Sequence, residues 1–285
     1  MSIDKIAIFM MNKLLICTDL DRTLIPNGSV PESPQARSLF AEFVSQPHIT
    51  LTYVTGRDKK LVQNAIEEYQ LPLPNFVIAD VGSTIYHIEN SQWLRIEDWD
   101  NNIAIDWQGK NSSDLIPLFE DIKQCQLQEK EKQGLHKLSY YMSLDEDKEI
   151  ILTKIKSRLE NESLKSNLIW SIDEEEKTGL LDILPQSANK YYSIEYLMKS
   201  QNFTLENTIF SGDSGNDLDV LISPIKSILV GNASIEVKEK IKSYIETINL
   251  TDSIYIAKGE YLTMNGNYSA GILEGIAHYF PRVNY

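Results

Sequence analysis

Short apolar runs alternate with helix-patterned segments along most of this chain. Leu14 to Thr18 and Thr50 to Thr55 read as buried strands, separated by a helical pattern at about 34 to 45 and followed by another at 58 to 69, with a third strand at 76 to 80. From about Glu89 to about Gly179 the texture becomes more polar. That stretch holds short hairpin-like strands, such as Lys137 to Met142 and Leu168 to Ser171, and helical patterns near 112 to 125 and 146 to 160. The alternation then resumes with strand 180 to 184, helix 190 to 200, strand 207 to 211, a short helix from Asp217, strand 226 to 230 and helix 234 to 246. A strand near 253 to 257 and a helix from Gly271 to Phe280 close it. Strands joined by helices predict an α/β fold, a Rossmann-like, doubly wound parallel sheet with helices on both faces. The core is expected from residues 1–88 and 180–285, interrupted by an α+β insertion at 89–179. No internal repeat interrupts the pattern, and Glu174-Glu175-Glu176 reads as a solvated turn.

Composition narrows the partners. A chain of 285 residues is long for one α/β unit, and 42% hydrophobic residues suffice for two small cores. The net charge of -14 and the pI near 4.8 argue against nucleic acid and anionic membrane surfaces. An anionic substrate must then be recognised locally, by a metal and a few cations. No segment approaches the roughly 20 apolar residues of a membrane helix. The apolar patch Ile6 to Met11 lacks a cleavage pattern, so residues 1–10 are expected to be an extension, Met11 a candidate start, and the protein cytoplasmic. Cys17, expected as a buried thiol, and Cys125 show no C-x-x-C spacing, which indicates neither a disulfide framework nor a zinc site.

The chemistry concentrates at strand ends. Asp19-Leu20-Asp21-Arg22-Thr23-Leu24 sets two carboxylates two residues apart after the first run, where like charges need a compensating cation, proton or substrate. Thr55-Gly56-Arg57 ends the second run with a hydroxyl and amides suited to a phosphoryl oxygen. Gln186-Ser187-Ala188-Asn189-Lys190 places a lysine at a helix start, and Ser211-Gly212-Asp213-Ser214-Gly215-Asn216-Asp217 ends another run with two more aspartates. Ligands of such sheets bind beyond the carboxyl ends of the strands, where these residues fall.

In this order the motifs resemble those of the haloacid dehalogenase superfamily, matching at Asp19/Asp21/Thr23, Thr55, Lys190 and Asp213/Asp217. More narrowly, the chain resembles the sucrose-phosphate phosphatase group from Leu14 almost to its end. That likeness adds Asp80-Val81-Gly82-Ser83, Leu184 to Lys190, Val230-Gly231-Asn232-Ala233 and Ala270-Gly271-Ile272-Leu273-Glu274-Gly275. One departure stands out: Gly82-Ser83-Thr84 lacks the glutamate that the family usually carries after Gly-Thr or Gly-Ser, which affects the sugar contact.

The resemblance implies a Mg²⁺-dependent phosphatase of a small sugar phosphate, sucrose 6-phosphate first, with 89–179 as the substrate-selecting cap. Asp19 would be the nucleophile, forming an aspartyl-phosphate, and Asp21 the general acid and then base. Thr55 and the Gly56 amide would hold the phosphoryl group, and Lys190 would neutralise the charge shared by Asp19 and its phosphate. The metal site would comprise Asp19, Asp21 through its backbone carbonyl, and Asp213. Asp217 would orient a metal-bound water or Lys190, with Asn216 beside it. Arg57, and in the cap Lys137 and Tyr140 of His136-Lys137-Leu138-Ser139-Tyr140, are candidate sugar contacts. All four tryptophans, Trp93, Trp99, Trp107 and Trp170, fall within the expected cap, and each is more readily a core residue than a stacking surface. The protein is expected as a monomer or weak homodimer. Alternatives are a broad hexose-phosphate, amino-sugar or mannosyl-glycerate phosphatase, a phosphomannomutase, or a catalytically idle sugar-phosphate binder.

Overall fold

The structure is a computed structural model that describes residues 13–173, 176–248 and 253–281. The expected extension at 1–10, Met11, and Glu174 and Glu175 of the acidic run lie outside the described residues. Among the described residues, no helix is long and apolar enough to cross a membrane.

Apolar runs in β1 (Leu14–Thr18), β2 (Ile49–Val54) and β3 (Phe76–Ala79) pair in parallel, and two short strands, β4 (Thr84–Glu89) and β5 (Gln92–Arg95), extend the sheet antiparallel. A second sheet contains β6 (Gln126–Leu127), β7 (Leu138–Met142), β8 (Ser166–Asp173) and β9 (Thr178–Pro185). The first sheet is completed by β10 (Thr208–Gly212), β11 (Lys226–Leu229) and β12 (Ile254–Ile256). Its order is β12-β11-β10-β1-β2-β3-β4-β5, so the chain winds outward in both directions from β1. The switch point lies between β1 and β10, the crevice in which such folds bind ligands.

Each β1 residue is buried because both faces of the sheet are covered. Leu14 and Ile16 join a cluster with Phe40 of α1 (Ala36–Val44) and Val62 of α2 (Lys59–Glu68). Leu15 and Cys17 face the other way, toward Trp99 of α3 (Glu97–Ala104). Burial pushes the Cys17 thiol up, so it is inert as a nucleophile at neutral pH. The small sheet carries its own core, in which Leu138, Tyr140, Met142, Leu181 and Ile183 meet Ile151, Ile155 and Leu159 of a helix. That helix is α5 (Lys148–Asn161), preceded in the chain by a single turn, α4 (Ser112–Leu115).

The architecture corrects several expectations. Strand 180 to 184 does not reopen the large sheet, because β9 pairs with β7 and β8 at the centre of the small one. Conversely, β4 and β5 belong to the large sheet, so both junctions lie later than 88/89 and 179/180. Trp93 therefore sits on β5, and Trp99 is buried in the large core with its indole N–H donated to the Gly82 carbonyl at 3.0 Å. Only Trp107 and Trp170 remain with the small sheet, packed in or against its core. The helix expected at 112 to 125 stops at Leu115 and tightens into a 3-10 turn over Ile116–Leu118, where Pro117 removes a donor.

One glycine wedges the large core together. Gly82 has φ +99°, and a Cβ there would lie 2.4 Å from the backbone carbonyl carbon of Asn189. Gly82→Ala is expected to cost about 1–3 kcal/mol in urea unfolding, as overpacking against unyielding backbone does.

Candidate active site

The carboxyl ends of β1, β2 and β10 deliver the reactive groups, and α6 (Lys190–Ser200) delivers the cation. Asn189 caps that helix, its side chain accepting from the Tyr192 N–H at 2.9 Å, which fixes Lys190 in the first turn. Lys190 Nζ then donates to Asp19 Oδ1 at 2.8 Å and to Asp217 Oδ1 at 2.7 Å, and lies 3.5 Å from Asn216 Oδ1. All three charged groups are almost fully buried. Burial works against the Lys190 charge, but Asp19 and Asp217 outweigh it and hold the ammonium above its ordinary range.

Asp217 is fixed by its own loop. Its Oδ2 accepts from the backbone N–H groups of Asp213 and Ser214, each at 3.1 Å. Gly212 allows this approach, since a Cβ there would lie 2.6 Å from the Asp217 carboxyl carbon. With one oxygen on Lys190 and the other on two amides, Asp217 serves as the anchor of the cluster. The Thr23 hydroxyl lies 3.4 Å from Asp19 Oδ2 and 3.3 Å from Asp213 Oδ1, bridging the two carboxylates that sequence reasoning nominated as direct ligands.

Asp19, Asp213 and Asp217 each bring an oxygen within 4.8 Å of the others, and all three are buried. Burial pushes the Asp19 carboxyl up to about 7, with Asp217 and Asp213 adding repulsion against the pull of Lys190. Burial and Asp217 push Asp213 up to about 6, although Arg22 comes within 3.5 Å of it. Hard oxygen donors that resist ionisation while close together fit a divalent cation. Both carboxyls stand above their ordinary value of 3.8 in the folded protein. Their contribution to metal-free stability is therefore full below about pH 4 and is lost as pH rises through about 6 to 7. Thermal melts in EDTA and in MgCl₂ are expected to show a metal-induced rise in Tm that is larger at pH 8 than at pH 5.

Asp21 is placed differently. Arg57 forks onto it at 2.8 and 2.7 Å, and Asn27 donates to it at 2.7 Å. Burial raises the Asp21 carboxyl, but the Arg57 fork outweighs burial and holds it below its usual range. Thr55 is buried, and its hydroxyl oxygen accepts from the Arg57 N–H at 3.2 Å, a bond that does not use the hydroxyl proton. Gly56 is exposed beside it.

Of the two candidate sugar contacts on the small sheet, Lys137 faces the large-sheet unit and Tyr140 does not. Lys137 reaches across to Asp80 of the large-sheet unit at 3.5 Å and lies 3.9 Å from Asp182 on β9. Tyr140 is not at the site: period-two alternation turns it into the small core, 6.2 Å from the Phe119 ring. The opposite face carries Ser139, whose hydroxyl donates to Asp182 at 2.5 Å, and Tyr141, bonded to Glu129 at 2.9 Å. Sequence reasoning left out Asn27 and, although it quoted Arg22 and Asp80 within motifs, gave neither Arg22 beside Asp213 nor Asp80 a role. For Asp80 there was a signal, an acid at the end of a parallel strand.

The family described as Sucrose-6F-phosphate phosphohydrolase matches residues 12–280. A HAD-like hydrolase of Nitrosococcus oceani is 48% identical over 95% of this chain and 73% of its own length. Sucrose-phosphatase 2 of Nicotiana tabacum is 26% identical over 93% of this chain, which spans only 59% of that protein. In three dimensions, the sucrose-phosphatase of a Synechocystis species, solved with sucrose and phosphate, superposes with a TM-score of 0.71 at 23% identity, covering 94% of this chain and 98% of that one. The superposition spans both sheets.

Proposed function

This chain belongs to the sucrose-6F-phosphate phosphohydrolase family of haloacid dehalogenase-like phosphatases, and on that premise we propose that it is a Mg²⁺-dependent phosphatase of a small sugar phosphate, sucrose 6-phosphate first. The observation that carries this reading is the buried Asp19–Lys190–Asp217 array at the switch point, with Asp213 across from it and Asp21 two residues on. A binder needs a cation for its anion, but it has no use for a nucleophile and an acid side by side.

In the first step an Asp19 carboxylate oxygen bonds to phosphorus in line with the sugar oxygen, the P–O bond to the sugar breaks, and the departing oxygen takes a proton from Asp21. In the second, Asp21 takes a proton from water, the water oxygen bonds to phosphorus, and the bond to Asp19 breaks to release phosphate. Lys190 holds the spare Asp19 oxygen throughout, which aims the attacking one. The Thr55 hydroxyl and the Gly56 amide hold the phosphoryl oxygens. Asp19, Asp213 and the backbone carbonyl of Asp21 would hold Mg²⁺, which supplies positive charge against those oxygens. Asp21 must leave the Arg57 fork before it can carry a proton, so Arg57 has to exchange it for an anionic or hydroxyl group of the substrate. The small-sheet unit selects the sugar through the face that bears Lys137.

Phosphate release from sucrose 6-phosphate, hexose phosphates, an amino-sugar phosphate and a mannosyl-glycerate phosphate, with Mg²⁺ and with EDTA, tests this reading. Metal-dependent release concentrated on sucrose 6-phosphate supports it in full. Similar slow release from many hexose phosphates would replace the specific enzyme with a broad one, and no release from any by the folded protein would overturn it.

A further inference from the structure

Asp80, Val81 and Gly82 have φ of 51°, 60° and 99°, three consecutive left-handed residues directly after β3. Left-handed backbone is costly for a β-branched residue such as Val81, and it persists where surrounding structure over-determines it. Here the determinants are specific. The Asp80 N–H donates to the Arg57 carbonyl at 3.0 Å and the Val81 N–H to the Thr55 carbonyl at 3.1 Å, which bolts the segment to the loop of Thr55, Gly56 and Arg57. On its other side Gly82 lies against the Asn189 backbone, immediately before Lys190. The Asp80 carboxylate, half-buried with its side chain 13% exposed, faces Lys137 of the small-sheet unit at 3.5 Å. Asp58, Asp182 and Arg95 are further charged groups bearing on Asp80. Asp58 in turn lies 3.8 Å from Lys132, so a second ion pair crosses the same gap.

One strained segment therefore touches three parts: the phosphoryl loop, the start of the Lys190 helix and the cap. We propose that Asp80 is a positioning residue, through which Lys137 of the cap holds the Thr55–Arg57 loop and the amino end of α6 in catalytic register. Asp80 need not touch the substrate in this arrangement. Cap contact with the core thereby sets the phosphoryl site itself, even for a substrate without a sugar for the cap to recognise. The kinetic arm of the test rests on the phosphatase reading; the exchange arm does not.

The variants are Asp80→Asn, which keeps a residue that tolerates left-handed backbone, Lys137→Met and the double variant. Amide hydrogen exchange of the Asp80 and Val81 segment in Lys137→Met is expected to quicken about tenfold relative to the amides of β1 and β10, which separates local loosening from any global change in stability. With p-nitrophenyl phosphate, which carries no sugar, each single variant is expected to lose about tenfold in kcat with KM within about twofold, and the double variant to be no worse than either single. A Lys137 that serves only as a sugar ligand would leave p-nitrophenyl phosphate turnover untouched, and that result overturns the proposal. Unchanged exchange overturns it too, whatever the substrate. If the wild-type protein hydrolyses no phosphate ester, the phosphatase reading fails, and the exchange result alone decides this proposal.

Discussion

Asp19→Asn is expected to lower phosphate release by about four orders of magnitude or more while raising the Tm of the metal-free protein at pH 8. The loss follows from the chemistry, since a carboxamide is not a nucleophile toward phosphorus and groups acting as one unit lose nearly everything when one is removed. The gain follows from the environment. Burial, with Asp217 and Asp213 nearby, pushes the Asp19 carboxyl up to about 7, so at pH 8 its ionised form is disfavoured by the fold. Replacing that charge with an isosteric amide relieves the repulsion, and Lys190 keeps its 2.7 Å bond to Asp217. Activity and stability thus pull in opposite directions at this position, as they do where a site stores strain for function. Parallel measurement of phosphate release and of melting in EDTA checks both halves; a stability loss comparable to that of a core truncation would contradict the electrostatic account.

Lys190→Met should be the more damaging change to the fold. Its ammonium lies between two buried carboxylates at 2.8 and 2.7 Å, and its side chain is 2% exposed. Truncating the cation leaves Asp19 and Asp217 facing each other in a low dielectric, and removing one partner of a buried ion cluster costs about 3–5 kcal/mol. Turnover should fall by about two to three orders of magnitude as well, since the spare oxygen of Asp19 loses the donor that aims it. Urea unfolding at pH 8 in EDTA, beside phosphate release in Mg²⁺, measures the two effects separately. Lys190→Arg is not expected to rescue either, because a planar guanidinium does not fit a slot built for a compact ammonium.

How much of this could be read from the sequence depended on whether the signal was local. Leu14 to Thr18, apolar at every position, announces a strand covered on both faces, and the Asp19/Asp21 pair beyond it announces a catalytic edge. Thr55, Asp213 and Asp217 follow the same rule beyond β2 and β10, Lys190 comes from the first turn of α6, and the structure gathers Lys190, Asp213 and Asp217 around Asp19. The junctions between the two units were not legible in the same way. An apolar strand such as Leu180 to Leu184 looks alike whether it is central in the large sheet or in the small one, and only pairing decides. The β4–β5 hairpin lies at a half-exposed edge, so its mixed polarity reads as inserted material. Tyr140 failed on parity: one residue along a strand changes the face. The Asp80–Lys137 and Asp21–Arg57 pairs join residues 57 and 36 positions apart, beyond the reach of any local pattern.

In the proposed mechanism Asp19 carries the phosphoryl group. The most direct measurement is rapid acid quench during turnover of sucrose 6-phosphate, borohydride reduction of any acyl-phosphate to homoserine, and peptide mass spectrometry of the segment around residue 19. The prediction is homoserine at position 19, dependent on substrate and on Mg²⁺ and absent from Asp19→Asn. Steady phosphate release with position 19 unmodified at every quench time, or with the modification at Asp21 or Asp213 instead, would contradict it.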